Sequence, residues 1–117
     1  MVYTNNNVPM NVSADVLAGM LLEITGDGTV AESAAGSKKV LGVAYANASL
    51  ALKEKVAVIT KVEVNLMASG TVTAGDLVKA GANSTVVKYV QGTDTEDMIV
   101  GKALSTGTGA LVRVLLL

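Results

Sequence analysis

The sequence predicts an all-β fold: a compact β-barrel or sandwich-like single domain, built from two pseudo-repeated β motifs and carrying an extended N-terminal arm. Three observations lead there. Short Val- and Leu-rich segments alternate polar and apolar residues, as Lys61-Val62-Glu63-Val64-Asn65-Leu66 does, which suits a strand with one wet face. Residues that tolerate positive φ separate these segments, at Gly26-Asp27-Gly28, Gly81-Ala82-Asn83-Ser84 and Gly107-Thr108-Gly109. Above all, the segments recur in order at a nearly fixed offset.

Taken along the chain, residues 1–12 come first. They are Asn-rich, hold the only proline (Pro9), and show no clear period, so they read as an arm outside the β domain of residues 13–117. Strands on either side of Gly26-Asp27-Gly28 make Leu21–Ala31 a hairpin. Val40–Ala46, Lys55–Thr60 and Leu111–Leu117 are further strands. Ala48–Lys55 contains good helix formers but is too short to hold a helix without packing, and offers one turn at most.

The repeat ties these pieces together. Val16–Leu22 matches Val72–Val78, Asp27–Val30 matches Asn83–Val86, and Lys55–Ile59 matches Leu111–Leu115, each 56 residues on (16 to 72, 27 to 83, 55 to 111). Val40–Ala44 matches Ile99–Ala103 at 59 (40 to 99), so the second copy has three extra residues in the preceding loop. The expected architecture is two similar motifs, about 16–60 and 72–117, packed face to face and joined by Val62–Leu66. Gly42 and Gly101 fall inside strands, where glycine marks a bulge or a close backbone approach.

Composition narrows the function classes. The 117 residues are half hydrophobic and only 3% aromatic, with no Phe or Trp, so the core must be Val, Leu and Ala. With neither Cys nor His, disulfides, thiol nucleophiles, zinc-thiolate sites and Ser-His-Asp or Cys-His hydrolysis are excluded. No enzyme is expected, and no cofactor. A net charge of −1 gives no basic excess for phosphates, so no nucleic-acid partner is expected. Mean hydropathy is high at +0.50, yet the longest apolar run, Val16–Leu22, is far too short to span a membrane, and MVYTNNNVPM is no signal peptide. Since a small domain buries only about two-thirds of its unfolded surface, the excess points to contact with neighbouring chains, and hence to an assembly component.

Candidate chemistry is sparse. Asp94, Glu96 and Asp97 cluster in the Gly92–Met98 loop, but lack calcium-loop spacing and any basic residue close in sequence. Gly26-x-Gly28 and Gly107-x-Gly109 lack the further residues of a phosphate cradle and read as turns. Lys38-Lys39 is a solvated doublet. Tyr3, Tyr45 and Tyr89 are too scattered for a stacking platform. Gly70–Val78 is similar to the Val-x-x-Gly-Asp-x-Val of biotinyl and lipoyl carrier domains, but no lysine here has the setting of their modified residue.

A larger pattern is spread along residues 16–117: Val40-Leu41-Gly42-Val43-Ala44, Lys53–Ile59, Leu66–Val78, Val100-Gly101-Lys102-Ala103 and Val112-Arg113-Val114-Leu115. In order and spacing it resembles the head decoration (capsid cement) proteins of tailed bacteriophages and related prophage elements. It departs at Val62-Glu63-Val64, where that family often has a Gly-led strand. The resemblance implies a non-enzymatic virion protein on the outer surface of the capsid, assembled in the host cytoplasm. Its implied partners are the major capsid protein and itself, as a homotrimer at local three-fold positions, with head stabilisation as the outcome. On this reading the arm residues Val2, Tyr3, Asn5, Asn6, Asn7, Val8, Pro9 and Met10 bind capsid by adding to a sheet edge. Leu115, Leu116 and Leu117 supply a subunit interface, since consecutive leucines of a strand cannot all face one core. The competing expectation is a β-rich virion appendage or surface protein that binds glycans or a receptor.

Overall fold

A computed structural model of the chain describes residues 7–117. Its first strand corrects the sequence reading. β1 (Asn7–Val12) lies in the stretch assigned to an arm, yet it pairs antiparallel with β5 (Lys55–Ile59) through five residues, from Asn7 opposite Ile59 to Asn11 opposite Lys55. Its last residues, Asn11 and Val12, also pair parallel with β3 (Thr29–Glu32). Val8, Met10 and Val12 do alternate at period two, but Pro9 and the flanking asparagines mask the pattern. Because β3 reaches only the end of β1, the strand carries Pro9 where one flank has no ladder to interrupt.

With β2 (Leu21–Gly26) and β4 (Val40–Ala44), these strands close a five-stranded barrel in the order β1-β3-β2-β4-β5. The expected hairpin is β2–β3, turning at Gly28 with φ 61°. A second barrel follows after Thr60-Lys61-Val62. It consists of β6 (Glu63–Ala68), β9 (Thr85–Lys88), β8 (Leu77–Ala80), β10 (Ile99–Ala103) and β12 (Leu111–Leu116), closed in that order. Two short strands, β7 (Thr71–Val72) and β11 (Gly107–Thr108), pair beside it. Val62–Leu66 is therefore no connector. It runs into β6, the stave equivalent to β1, and the repeat units are wider than the sequence matches, covering both sets of five strands.

The registers confirm the repeat residue by residue. Asn7↔Ile59 becomes Glu63↔Leu115, Asn11↔Thr29 becomes Met67↔Thr85, and Leu21↔Val43 becomes Leu77↔Lys102. Gly42 and Gly101 mark both of the features expected. The β2/β4 and β8/β10 ladders shift register beside them, and a Cβ would stand 2.0 Å from the Ile59 carbonyl oxygen at one and 2.3 Å from that of Leu115 at the other. No helix forms at Ala48–Lys55. The segment is a loop closed by Lys53 N–H to the Leu50 carbonyl (3.0 Å) and Glu54 N–H to the Ser49 carbonyl (3.0 Å), with Lys53 at φ 53°. No helix among the described residues is long and apolar enough to cross a membrane.

Each barrel encloses a core of Val, Leu and Ala. The first contains Val12, Val16, Leu22, Val30, Ala44, Ala48, Val56 and Val58. The second is centred on Leu66, Val72, Val78, Val86, Val112 and Val114, and it also takes in Leu21 and Val43 of the first barrel. Adjacent residues on β2 thus serve different cores: Leu22 points into its own barrel, and Leu21 points out and under its neighbour. At roughly 1.5–3 kcal/mol for each large side chain buried, that junction is a substantial part of what holds the barrels together. Gly36 N–H to the Ala80 carbonyl (2.9 Å) and Ser84 Oγ to Glu32 (2.6 Å) complete it.

Candidate interaction surfaces

At one end of the first barrel two loops are stitched together. Val16 and Ala48 form an antiparallel bridge with both side chains buried, Ala18 N–H bonds Asn47 Oδ1 (2.8 Å), and Leu50 N–H bonds Asp15 Oδ1 (3.0 Å). With Val16 and Ala48 turned inward, the residues beside them face solvent, and the loops expose Leu17, Tyr45, Leu50 and Leu52. The second barrel repeats the stitching, with Val72 opposite Gly107 and Ala74 N–H on Thr106 Oγ1 (2.9 Å). There the dressing is mostly polar and small: Thr73 stands where Leu17 does and Ser105 to Gly109 replace the leucine-bearing loop, while Leu104, at the position of Tyr45, is exposed as well. The sequence reading missed the first cluster. Its signal was Leu50 and Leu52 in a segment taken for a helical turn, on a chain already too apolar for its size.

The residues expected to contact partners are dispersed. Val2, Tyr3, Asn5 and Asn6 lie outside the described residues. Asn7, Val8, Pro9 and Met10 belong to β1 and pair with β5 on one flank, so from Asn7 onward this stretch is a stave of the first barrel and not a free arm. Val8 and Pro9 remain exposed, and Met10 is half-buried. The three terminal leucines, on the other barrel, divide by strand alternation. Leu116 is in the core and cannot be part of a subunit interface, whereas Leu115 and Leu117 face outward.

The acidic loop also differs from expectation, because folding supplies the basic partner that sequence proximity lacks. Lys79 Nζ bonds Asp94 Oδ1 at 2.6 Å, and Val90 N–H bonds the other carboxylate oxygen at 2.8 Å. The Lys79 hydrogen bond, then that of Val90, holds the Asp94 carboxyl below the usual carboxylate range. Tyr89 Oη donates to the Asp94 carbonyl (3.3 Å), and the Thr95 hydroxyl donates to Asp97. The arrangement ties a loop down; among the described residues no group of three or more His, Cys, Asp or Glu is placed to hold a metal ion. On the outer face of β6 and β12, Arg113 grips Glu63 through two nitrogens, with Nε to Oε1 at 3.1 Å. Its hydrogen bond lowers the Glu63 pKa and raises that of Arg113.

Two of the open grooves among the described residues are larger than the one of about 220 Å³ beside Leu50 and Lys53. One, of about 580 Å³, is lined by Ile24, Asp27, Lys38, Lys39 and Val40 beside the β2–β3 turn. The other, of about 510 Å³, lies between Leu77, Tyr89, Gln91, Glu96, Ile99 and Leu117 on the second barrel. Both linings mix apolar and charged or polar side chains, a composition that suits contact with another protein surface.

The fold and these surfaces define a class: a tandem of two closed β-barrels, duplicated in sequence, whose exposed features are apolar faces. No family model matches the chain, and no curated protein matches it. Among solved structures the chain is similar to the N base of the head fiber gp8.5 of bacteriophage phi29, with a TM-score of 0.65 and 18% sequence identity. The likeness covers 95% of this chain and 92% of that one. It shows a shared fold that runs through both barrels, with a protein of a phage head.

Proposed function

We propose that this chain is a structural protein of a phage head, without enzymatic activity, that binds the outer surface of the capsid and reinforces the shell as a trimer. The observation that carries the reading is the two-barrel likeness to a phage head-fiber base over nearly the whole of both chains. The resemblance of its motifs to head decoration proteins supports it. So does a surface of unpartnered apolar side chains on a chain with little net charge.

The shell-facing surface we assign to the stitched loops of the first barrel. Leu17, Tyr45, Leu50 and Leu52 offer apolar contacts on a backbone already fixed by hydrogen bonds, so little order is lost on docking. Three such faces per trimer bind with avidity that one lacks. The test is co-sedimentation of the purified protein with expanded, undecorated heads assembled from the major capsid protein of the same phage. Saturable binding at a fixed ratio to capsid protein, with rupture shifted to higher temperature, is expected. A folded protein left in the supernatant would overturn the reading.

The phi29 neighbour is part of a fiber, which favours one second reading: an appendage that binds glycans or a receptor. A glycan array distinguishes the two. One clean class of sugar bound, with no affinity for heads, would replace the decoration reading.

A further inference from the structure

The offsets that relate the two barrels also relate their surfaces, and among the described residues one interface within the chain has both of its counterparts without a partner barrel. That interface joins unlike parts. One is the outward side of β2 and β4, where Leu21 lies opposite Val43 and Glu23 opposite Val40. The other is the end of the second barrel formed by Val64, Ala80 and Ser84. The contact is close: Leu21 is 0% exposed, Val43 4% and Ala80 1%.

On the second barrel the side equivalent to β2/β4 is that of β8 and β10, with Leu77 opposite Lys102 and Lys79 opposite Ile99. The loop of Asp94 covers its Lys79 corner, but among the described residues no other barrel is seated on it, and Leu77 and Ile99 line the 510 Å³ groove to which Tyr89 and Leu117 contribute walls. On the first barrel the end equivalent to Val64, Ala80 and Ser84 is Val8, Ile24 and Gly28. There Ile24 is 40% exposed and Val8 39%, although both sit at core-facing positions of their strands. Among the described residues there is therefore a side without an end and an end without a side.

We infer that a second copy of this chain docks head to tail, the Val8/Ile24 end of its first barrel seated on the β8/β10 side of the barrel before it. The contact continues the interface already made between barrels. Its polar rim is complementary as well. Lys88 occupies the position of Glu32, and the turn that corresponds to Ser84 carries Asp27, so a cation meets a carboxylate where the chain's own junction has Glu32 and Ser84. Lys102 in place of Val43 makes this contact more polar than the internal one, as suits surfaces that meet after folding. An interface between unlike patches propagates until it closes; three chains closing it form a ring of six barrels. The inference deepens the trimer in the proposed function, but its test contains no shell.

Analytical ultracentrifugation of the purified full chain reads it directly. The wild type should sediment as a trimer. Ile24→Asp, which blocks the end, and Leu77→Asp, which blocks the side, should each give folded monomers. Their equimolar mixture should give a one-to-one dimer, because one intact end and one intact side remain. A wild-type monomer at the highest soluble concentration, or a mixture that stays monomeric, would overturn the inference. If either variant melts early, the exposed pair decides instead. Lys88→Asp should weaken association about tenfold and Lys88→Asp with Asp27→Lys should restore it, whereas no change from either would count against the contact. A monomer that still binds heads would overturn this contact and leave decoration standing; a ring that ignores heads would do the reverse.

Discussion

The first and second barrels close through the same strand pairings, residue for residue, and differ in what they turn outward. Interior positions are filled alike: Val58 corresponds to Val114, Val56 to Val112 and Val30 to Val86, all fully buried. Outside, the first barrel shows leucines on its stitched loops, with Asn11 and Lys55 paired across β1 and β5. The second shows mainly hydroxyls and glycines on those loops, with Leu104 their one exposed leucine, and has Met67 and Leu111 at the strand positions. Both ion pairs found among the described residues belong to the second barrel. A duplicated scaffold keeps what closes a barrel and is free to change what the barrel touches, so divergence between the copies is itself a map of the contact surfaces.

The largest effect should come from β12, where neighbouring leucines have opposite roles. Leu116→Asp buries an unpaired charge in the second core and should cost about 4 kcal/mol or more, enough to unfold that barrel. Leu115→Asp and Leu117→Asp should leave the melting temperature nearly unchanged. Next, Gly42→Ala and Gly101→Ala each drive a Cβ into a carbonyl oxygen, and each should cost about 3 kcal/mol in urea unfolding. Amide exchange would show whether the damage stays in the barrel mutated or crosses the Leu21 junction. Val58→Ala and Val114→Ala should each cost about 2 kcal/mol, and a large difference between them would break the equivalence of the cores.

Part of this was legible in the residues and part was not, for physical reasons. The repeat, the β2–β3 hairpin and the roles of Gly42 and Gly101 could be read because backbone geometry constrains residue type locally. β1 was not legible, since a strand whose longest ladder is with a partner some fifty residues away needs only a few apolar positions, and Pro9 hid those. For the same reason Lys79 could not be assigned to Asp94 from sequence; only the fold brings them together. The exposed apolar residues were the hardest to find. Leu17 and Leu52 look like core residues in sequence, and only the inward turn of Val16 and Ala48 shows that they are outside.

Smaller effects sharpen the contrast further. Leu17→Ser with Leu52→Ser should change stability by no more than about 0.5 kcal/mol while weakening head binding at least about tenfold, as measured by co-sedimentation. The smallest effect is pH-dependent. Because folding lowers the Asp94 pKa, its contribution is complete above the ordinary carboxylate value of about 4 and is lost as pH falls through the lower folded value. Asp94→Asn should therefore melt below wild type at neutral pH, and the gap should narrow as the solution is acidified.

The pairing of β1 with β5 has a consequence for how the protein is made. Each barrel joins the first strand of its repeat to the last, so no part of a repeat can close early, and folding is expected to be slow for a chain of this length. During synthesis, however, the first repeat is complete once Ile59 has left the ribosome. It can then fold while the second is still being translated, and it offers Leu21 and Val43 as a prepared surface on which the second barrel condenses.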